Sequence, residues 1–162
     1  MEQKELLINN WCSSLQPCLV RVGSEGITDQ MLSLFVDLAI NIFQSYGKVM
    51  NGSLFILHGL ISSVNHRITP YLPKFIDYIV CSMRMENCDQ MGTRVACGLI
   101  SDLANSIGES IVQFLPPIME VMQRILVDNS FDSEVKLIAI IAFGDLSLAS
   151  GALPFQHYLP ET

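Results

Sequence analysis

The stretch Tyr71-Leu72-Pro73-Lys74-Phe75-Ile76-Asp77-Tyr78-Ile79-Val80-Cys81-Ser82-Met83 decides the fold class. Leu72, Phe75, Ile76, Ile79, Val80 and Met83 fall at helical spacing and make one apolar stripe. Pro73 sits just inside the predicted start, where a missing N–H costs nothing. The opening triplet, aromatic–Leu–Pro, returns as Phe114-Leu115-Pro116 after 43 residues and as Tyr158-Leu159-Pro160 after a further 44. Asp102-Leu103 returns as Asp145-Leu146 after 43, and Gly59-Leu60-Ile61-Ser62 as Gly98-Leu99-Ile100-Ser101 after 39. The repeating unit is a helix (A), a short turn, aromatic–Leu–Pro, and a second helix (B), with a period near 40–44 residues.

The same helical spacing runs outward in both directions. Met31, Leu34, Phe35, Leu38 and Ile42 form one stripe, and Val95, Leu99, Leu103 and Ile107 another. No stretch alternates with the period of a strand. The pattern predicts helices at about 4–22, 28–46, 50–67, 71–85, 89–107, 111–128 and 132–150. Thr28-Asp29 and Asp132-Ser133-Glu134 supply helix starts. Gly23, Gly47, Gly108 and Gly151 lie near predicted helix ends, where a left-handed cap favours glycine. Pro17 is expected to kink or split the first helix. Short connections make neighbouring helices antiparallel. A tandem helical hairpin of this length is the signature of a HEAT or armadillo solenoid, in which each hairpin completes its core by stacking on the next. The expectation is an all-α HEAT-repeat superhelix of about three and a half hairpins: 4–46, 50–85, 89–128 and a partial unit at 132–162.

Composition agrees. Hydrophobic residues are 50% of the 162 and charged residues only 15%, against a usual value of about 25%. That excludes disorder. The longest apolar run, Leu137–Gly144, is far short of a bilayer span, and the N-terminus Met1-Glu2-Gln3-Lys4-Glu5 lacks the layout of a signal peptide. The net charge of -7 disfavours nucleic acid and favours basic peptides or proteins as partners. Five scattered cysteines with no CxxC pair read as buried, reduced thiols. The first repeat has no polar cap, and the C-terminus stops where a fourth B helix would begin. Both features read as a segment of a longer solenoid with apolar ends prone to self-associate.

Motifs for chemistry are missing. His58, His66 and His157 are far apart, without HExxH or a carboxylate cluster, so no metal site is expected. Ser62-Ser63 has no GxSxG elbow, and no glycine-rich phosphate loop occurs, so neither a catalytic residue nor a cofactor is expected.

Gly98-Leu99-Ile100-Ser101-Asp102-Leu103-Ala104, Ile111 to Phe114 and Met119-Glu120-Val121-Met122 together resemble a repeat of the importin beta (karyopherin beta) family. Val135-Lys136 through Phe143-Gly144-Asp145-Leu146-Ser147-Leu148-Ala149, with Tyr158-Leu159 following, resembles another, and 10–66 follow the same order. The resemblance matches the middle-to-C-terminal repeats of that family. It implies a nuclear transport receptor, moving between cytoplasm and nucleus through the nuclear pore. It further implies three protein partners: the basic helix of importin alpha, Ran-GTP and Phe-Gly nucleoporins. It places A helices on the convex outside, with apolar slots for Phe-Gly motifs, and acidic B helices on the concave inside. The family's N-terminal repeats, which carry much of its Ran contact, are absent, so this chain alone should transport nothing.

Asp29, Asp37, Asp77, Glu120 and Asp128 lie on predicted B helices. They read either as a solvated face or as an acidic surface for a basic helix. Asp102 and Asp145, at matching places in A helices, read as carboxylates bonding a neighbouring repeat. Trp11 reads as packed, or else as an anchor for a partner. Phe55, Leu99, Ile100, Ile140 and Phe143 read as core, or else as borders of Phe-Gly slots. A HEAT-repeat scaffold or regulatory subunit of another complex would share the fold.

Overall fold

A computed structural model describes residues 2–46, 51–84 and 89–158. Its helices are α1 (Glu2–Gly26), α2 (Asp29–Tyr46), α3 (Gly52–Val64), α4 (Leu72–Met83), α5 (Gln90–Ile107), α6 (Leu115–Val127), α7 (Ser133–Ser150) and the short α8 (Ala152–Gln156). Single 3-10 segments, Asn65–Tyr71 and Gly108–Phe114, join α3 to α4 and α5 to α6. Among the described residues there is no strand. Contacts run α1 to α3 to α5 to α7 in one row and α2 to α4 to α6 in a second. This is the all-α HEAT-type solenoid the spacing predicts.

Local chemistry sets the helix ends. The Thr28 hydroxyl accepts the Met31 amide at 3.2 Å, Asp89 accepts that of Met91 at 3.0 Å, and Asp132 accepts that of Val135 at 2.8 Å. Pro73 and Pro116 occupy the first turns of α4 and α6. At the other ends, Gly23, Asn65, Gly108 and Gly151 all have positive φ, of 67°, 48°, 54° and 78°. They close the A helices and are spaced 42, 43 and 43 residues apart, which fixes the repeat register. Their ψ values are near-extended, -176°, -129°, -133° and 166°, a region open almost only to glycine. Gly47 lies outside the described residues.

Several expectations are corrected. The break in α1 falls at Gly23, not Pro17. Pro17 lacks an amide to bond the Ser13 carbonyl, but its ring is on the exposed side and the helix runs through it. The 39-residue echo of Gly59-Leu60-Ile61-Ser62 is out of register: the structural mate of Leu60 is Leu103, not Leu99. The predicted helix 50–67 is shorter at both ends, and its tail is 3-10. Of the cysteines, Cys12 and Cys97 are buried but Cys18 and Cys81 are exposed, all four as free thiols; Cys88 lies outside the described residues. Trp11 is 53% exposed rather than packed.

The core follows the register. Leu60, Leu103 and Leu146 are each fully buried at one repeat position, where α3, α5 and α7 meet the helix before them. Each such leucine contributes roughly 1.5–3 kcal/mol. The span 90–127 is apolar enough in composition to cross a membrane. Here it is two helices and a 3-10 segment, with Leu99, Leu103, Ile118 and Met122 buried in the stack.

Candidate protein-binding surfaces

The five acidic residues share the B row, and the stack engages most of them. Arg67, in the 3-10 segment between α3 and α4, reaches Asp29 at 2.5 Å and also donates to the Ser24 and Ile27 carbonyls. Lys74 on α4 reaches Asp37 on α2 at 3.2 Å, and Arg84 reaches Glu120 on α6 at 2.9 Å. Each pair crosses from one repeat to the next. Asp128 instead shapes the loop after α6, accepting the Ser130 amide at 2.8 Å. That amide, with the Ser130 side chain and the nearby Arg124 and Lys136, holds its carboxyl below the usual range. Asp77 is exposed on α4 and, among the described residues, makes no hydrogen bond or ion pair.

The pairs remain open to exchange. The acidic side chains of Asp29, Asp37 and Glu120 are 82%, 50% and 71% exposed. Exposed pairs of this kind are worth about 0–1 kcal/mol. The B face therefore offers one unpaired carboxylate, Asp77, among three weakly held ones.

The A row carries a polar ladder the sequence showed only in part. Gln16 donates to His58 Nδ1 at 2.6 Å, so the ring proton sits on Nε2, which faces Asp102 at 2.9 Å. One repeat on, the Ser101 hydroxyl donates to Asp145. Gln16, His58 and Ser101 hold the same repeat position, and each bonds the helix that follows. Asp102 and Asp145 thus bond the neighbouring repeat, as their matching places suggested. Gln16 and His58 went unread because their residue types differ although their position is shared.

Beside that ladder, α1 and α3 border a groove of about 680 Å³. Pro17 and Val20 give it apolar wall, and Ser13, Arg21, His58 and Ser62 give it polar edges. The residues named for such slots lie elsewhere. Leu99 and Ile100 are buried, Phe55 is partly buried, and Phe143 packs edge-on against Phe155 with ring centroids 5.9 Å apart. Ile140 is 57% exposed, on α7. Among the described residues no group of His, Cys, Asp and Glu could hold a metal ion.

Comparison with known proteins adds a family. A family model described as "Importin subunit beta-1-like, TPR repeats" matches residues 1–162. The 42–43-residue register exceeds the roughly 34 residues of a tetratricopeptide unit and fits the HEAT length. The importin subunit beta-1 of Schizosaccharomyces pombe is 26% identical over 155 residues, covering 94% of this chain and 18% of that protein. The chain therefore spans about a fifth of the length of that relative. No solved structure matches. The chain belongs to the importin subunit beta-1-like repeat family.

Proposed function

We propose that this chain is a non-enzymatic, protein-binding segment of a nuclear import receptor, working between cytoplasm and nucleus. The family match supports the class, and the exposed carboxylates of the B row support the partner. The carrying observation is Asp77, exposed and unpaired between the Asp37–Lys74 and Arg84–Glu120 pairs. On a chain of net charge -7, that row attracts a basic helix such as that of importin alpha. The incoming lysines and arginines replace Lys74 and Arg84 on acids that those side chains hold only weakly. The A-row groove between α1 and α3 is proposed to take a Phe-Gly nucleoporin motif against Pro17 and Val20. Ran-GTP contact is assigned to the longer receptor of which these repeats form part.

The test is a titration of the chain with the basic helix of importin alpha at low and moderate salt. Binding that weakens with salt, and weakens at least tenfold in Asp77→Lys/Glu120→Lys, is the expected result. Affinity unchanged by the double reversal overturns the reading of the B face. The rival reading, a HEAT scaffold of another complex, is favoured if neither the basic helix nor a Phe-Gly peptide binds.

A further inference from the structure

Of the eight asparagines in the chain, Asn51 alone is followed by glycine. In an Asn-Gly pair the backbone nitrogen reaches the side-chain carbonyl most freely, because glycine has no Cβ to hinder the approach. The pair sits inside the stack, between α1 and α5. Asn51 precedes α3 with φ -67° and ψ -9°, and its side chain does not cap that helix. The side-chain amide crosses instead to the next repeat. Its Nδ2 donates to Asp89 Oδ2 at 2.8 Å, and its Oδ1 lies 2.6 Å from where a Cβ on Gly92 would be. Asp89 Oδ1 meanwhile accepts the Met91 amide and caps α5. Gly52 faces the other way, onto α1. A Cβ there would lie 2.9 Å from Asn9 Oδ1 and 3.1 Å from Cys12 Cβ and Sγ.

Each half of this labile pair therefore serves a different neighbour. A larger residue at Gly52 would crowd α1, and an acid at Asn51 would aim a second carboxylate at Asp89. The helix does not occupy the attacking nitrogen, because Gly52 is the first residue of α3 and first-turn amides have no intrahelical acceptor. The tether to Asp89 is what holds the side-chain amide turned toward α5. Each opening of that bond frees the carbonyl carbon for attack.

We propose that Asn51 is a deamidation site, and that its modification turns the joint between α3 and α5 from attraction to repulsion. The Gly52 nitrogen attacks Asn51 Cγ and closes a succinimide. The Cγ–Nδ2 bond breaks, and Nδ2 leaves as ammonia with the proton from the Gly52 nitrogen. Water opens the ring at either carbonyl, giving aspartate or isoaspartate, and nothing is oxidised or reduced. The former donor is then an acceptor-only carboxylate facing that of Asp89 across the same gap, where like charges oppose each other. Isoaspartate also adds a methylene to the backbone at the start of α3. A carboxylate at a helix N-terminus is by itself favourable, so the loss comes from Asp89. None of this depends on the transport reading.

Prolonged incubation of the folded chain at neutral pH, followed by peptide mapping with mass spectrometry, tests the chemistry. Asn51 is expected to convert to aspartate and isoaspartate ahead of the other seven asparagines. Asn51 left intact in the folded chain overturns the proposal, as does conversion seen only after urea unfolds it. Asn51→Asp tests the consequence. Its unfolding equilibrium constant in urea titrations should exceed the wild-type value about tenfold, the worth of a hydrogen bond to a charged group. Asn51→Asp/Asp89→Asn should recover wild-type stability. The exchange returns one donor and one acceptor to the joint, and asparagine caps a helix about as well as aspartate. Asn51→Asp as stable as wild type overturns the proposal, as does a double variant no more stable than the single one. If circular dichroism shows Asn51→Asp unfolded, recovery of the fold in the double variant decides the point.

Discussion

His58 and Asp102 sit on adjacent A helices, and the His58 Nε2 lies 2.9 Å from an Asp102 carboxylate oxygen. Gln16 occupies the other ring nitrogen from the helix before, so one side chain ties three helices in line. Both partners are about a third exposed, at 33% and 38%. The tie therefore adds modestly to stability and mainly fixes how one repeat seats on the next.

Asn65 takes the positive φ that glycine supplies at the other three junctions. A Cβ in that conformation is strained by about 1–3 kcal/mol. Asn65→Gly should relieve it and raise stability by about 1 kcal/mol, after the added freedom of the unfolded glycine is deducted. Urea unfolding measures this, and a destabilised Asn65→Gly variant would show that the junction holds Asn for another reason.

Close packing of α1 on α3 needs the bare backbone of Gly59. A Cβ there would lie 3.1 Å from both Gln16 Cα and the Gln16 carbonyl oxygen. Gly59→Ala should cost about 1–3 kcal/mol by pushing the helices apart. Gly98→Ala, in open space within α5, should instead gain up to about 1 kcal/mol from helix propensity. Thermal melts of the two variants should move in opposite directions.

Thiol reactivity should follow burial. Cys18 and Cys81 should react with a thiol reagent in the folded chain, and Cys12 and Cys97 only on unfolding. Burial also raises the Cys12 pKa, which further suppresses its thiolate. Mass spectrometry of labelled peptides would contradict this if Cys12 were modified as fast as Cys18.

Asp128 sets a pH dependence. Its carboxyl is held below the usual value, first by the Ser130 amide. A lowered folded-state pKa gives stability that is present above the unfolded pKa and lost as pH falls through the folded one. Asp128→Asn should therefore flatten the acid limb of the stability profile. An acid limb unchanged in the variant would remove Asp128 from the cause.

Much of the fold was legible because period carries it. Leu72, Phe75, Ile79 and Met83 mark α4 as a one-sided helix, and two of the aromatic–Leu–Pro triplets fall in register. The errors share a physical source. Gly98-Leu99-Ile100-Ser101 looked like a repeat of 59–62 because residue type was read without position. Helix ends near Asn65 were missed because an asparagine did the work of a glycine. The surface was less legible. Sequence places Asp29, Asp37 and Glu120 on one row, but not that Arg67, Lys74 and Arg84 of adjoining repeats reach them.

Double-mutant cycles in urea test the register most directly. Alanine substitutions at His58 and Asp102 should couple by about 0.5–1 kcal/mol, as should those at Ser101 and Asp145, while His58 and Asp145, two repeats apart, should be additive. Additivity within both neighbouring pairs, or coupling of the distant one, would contradict a stack built by each A helix bonding the next.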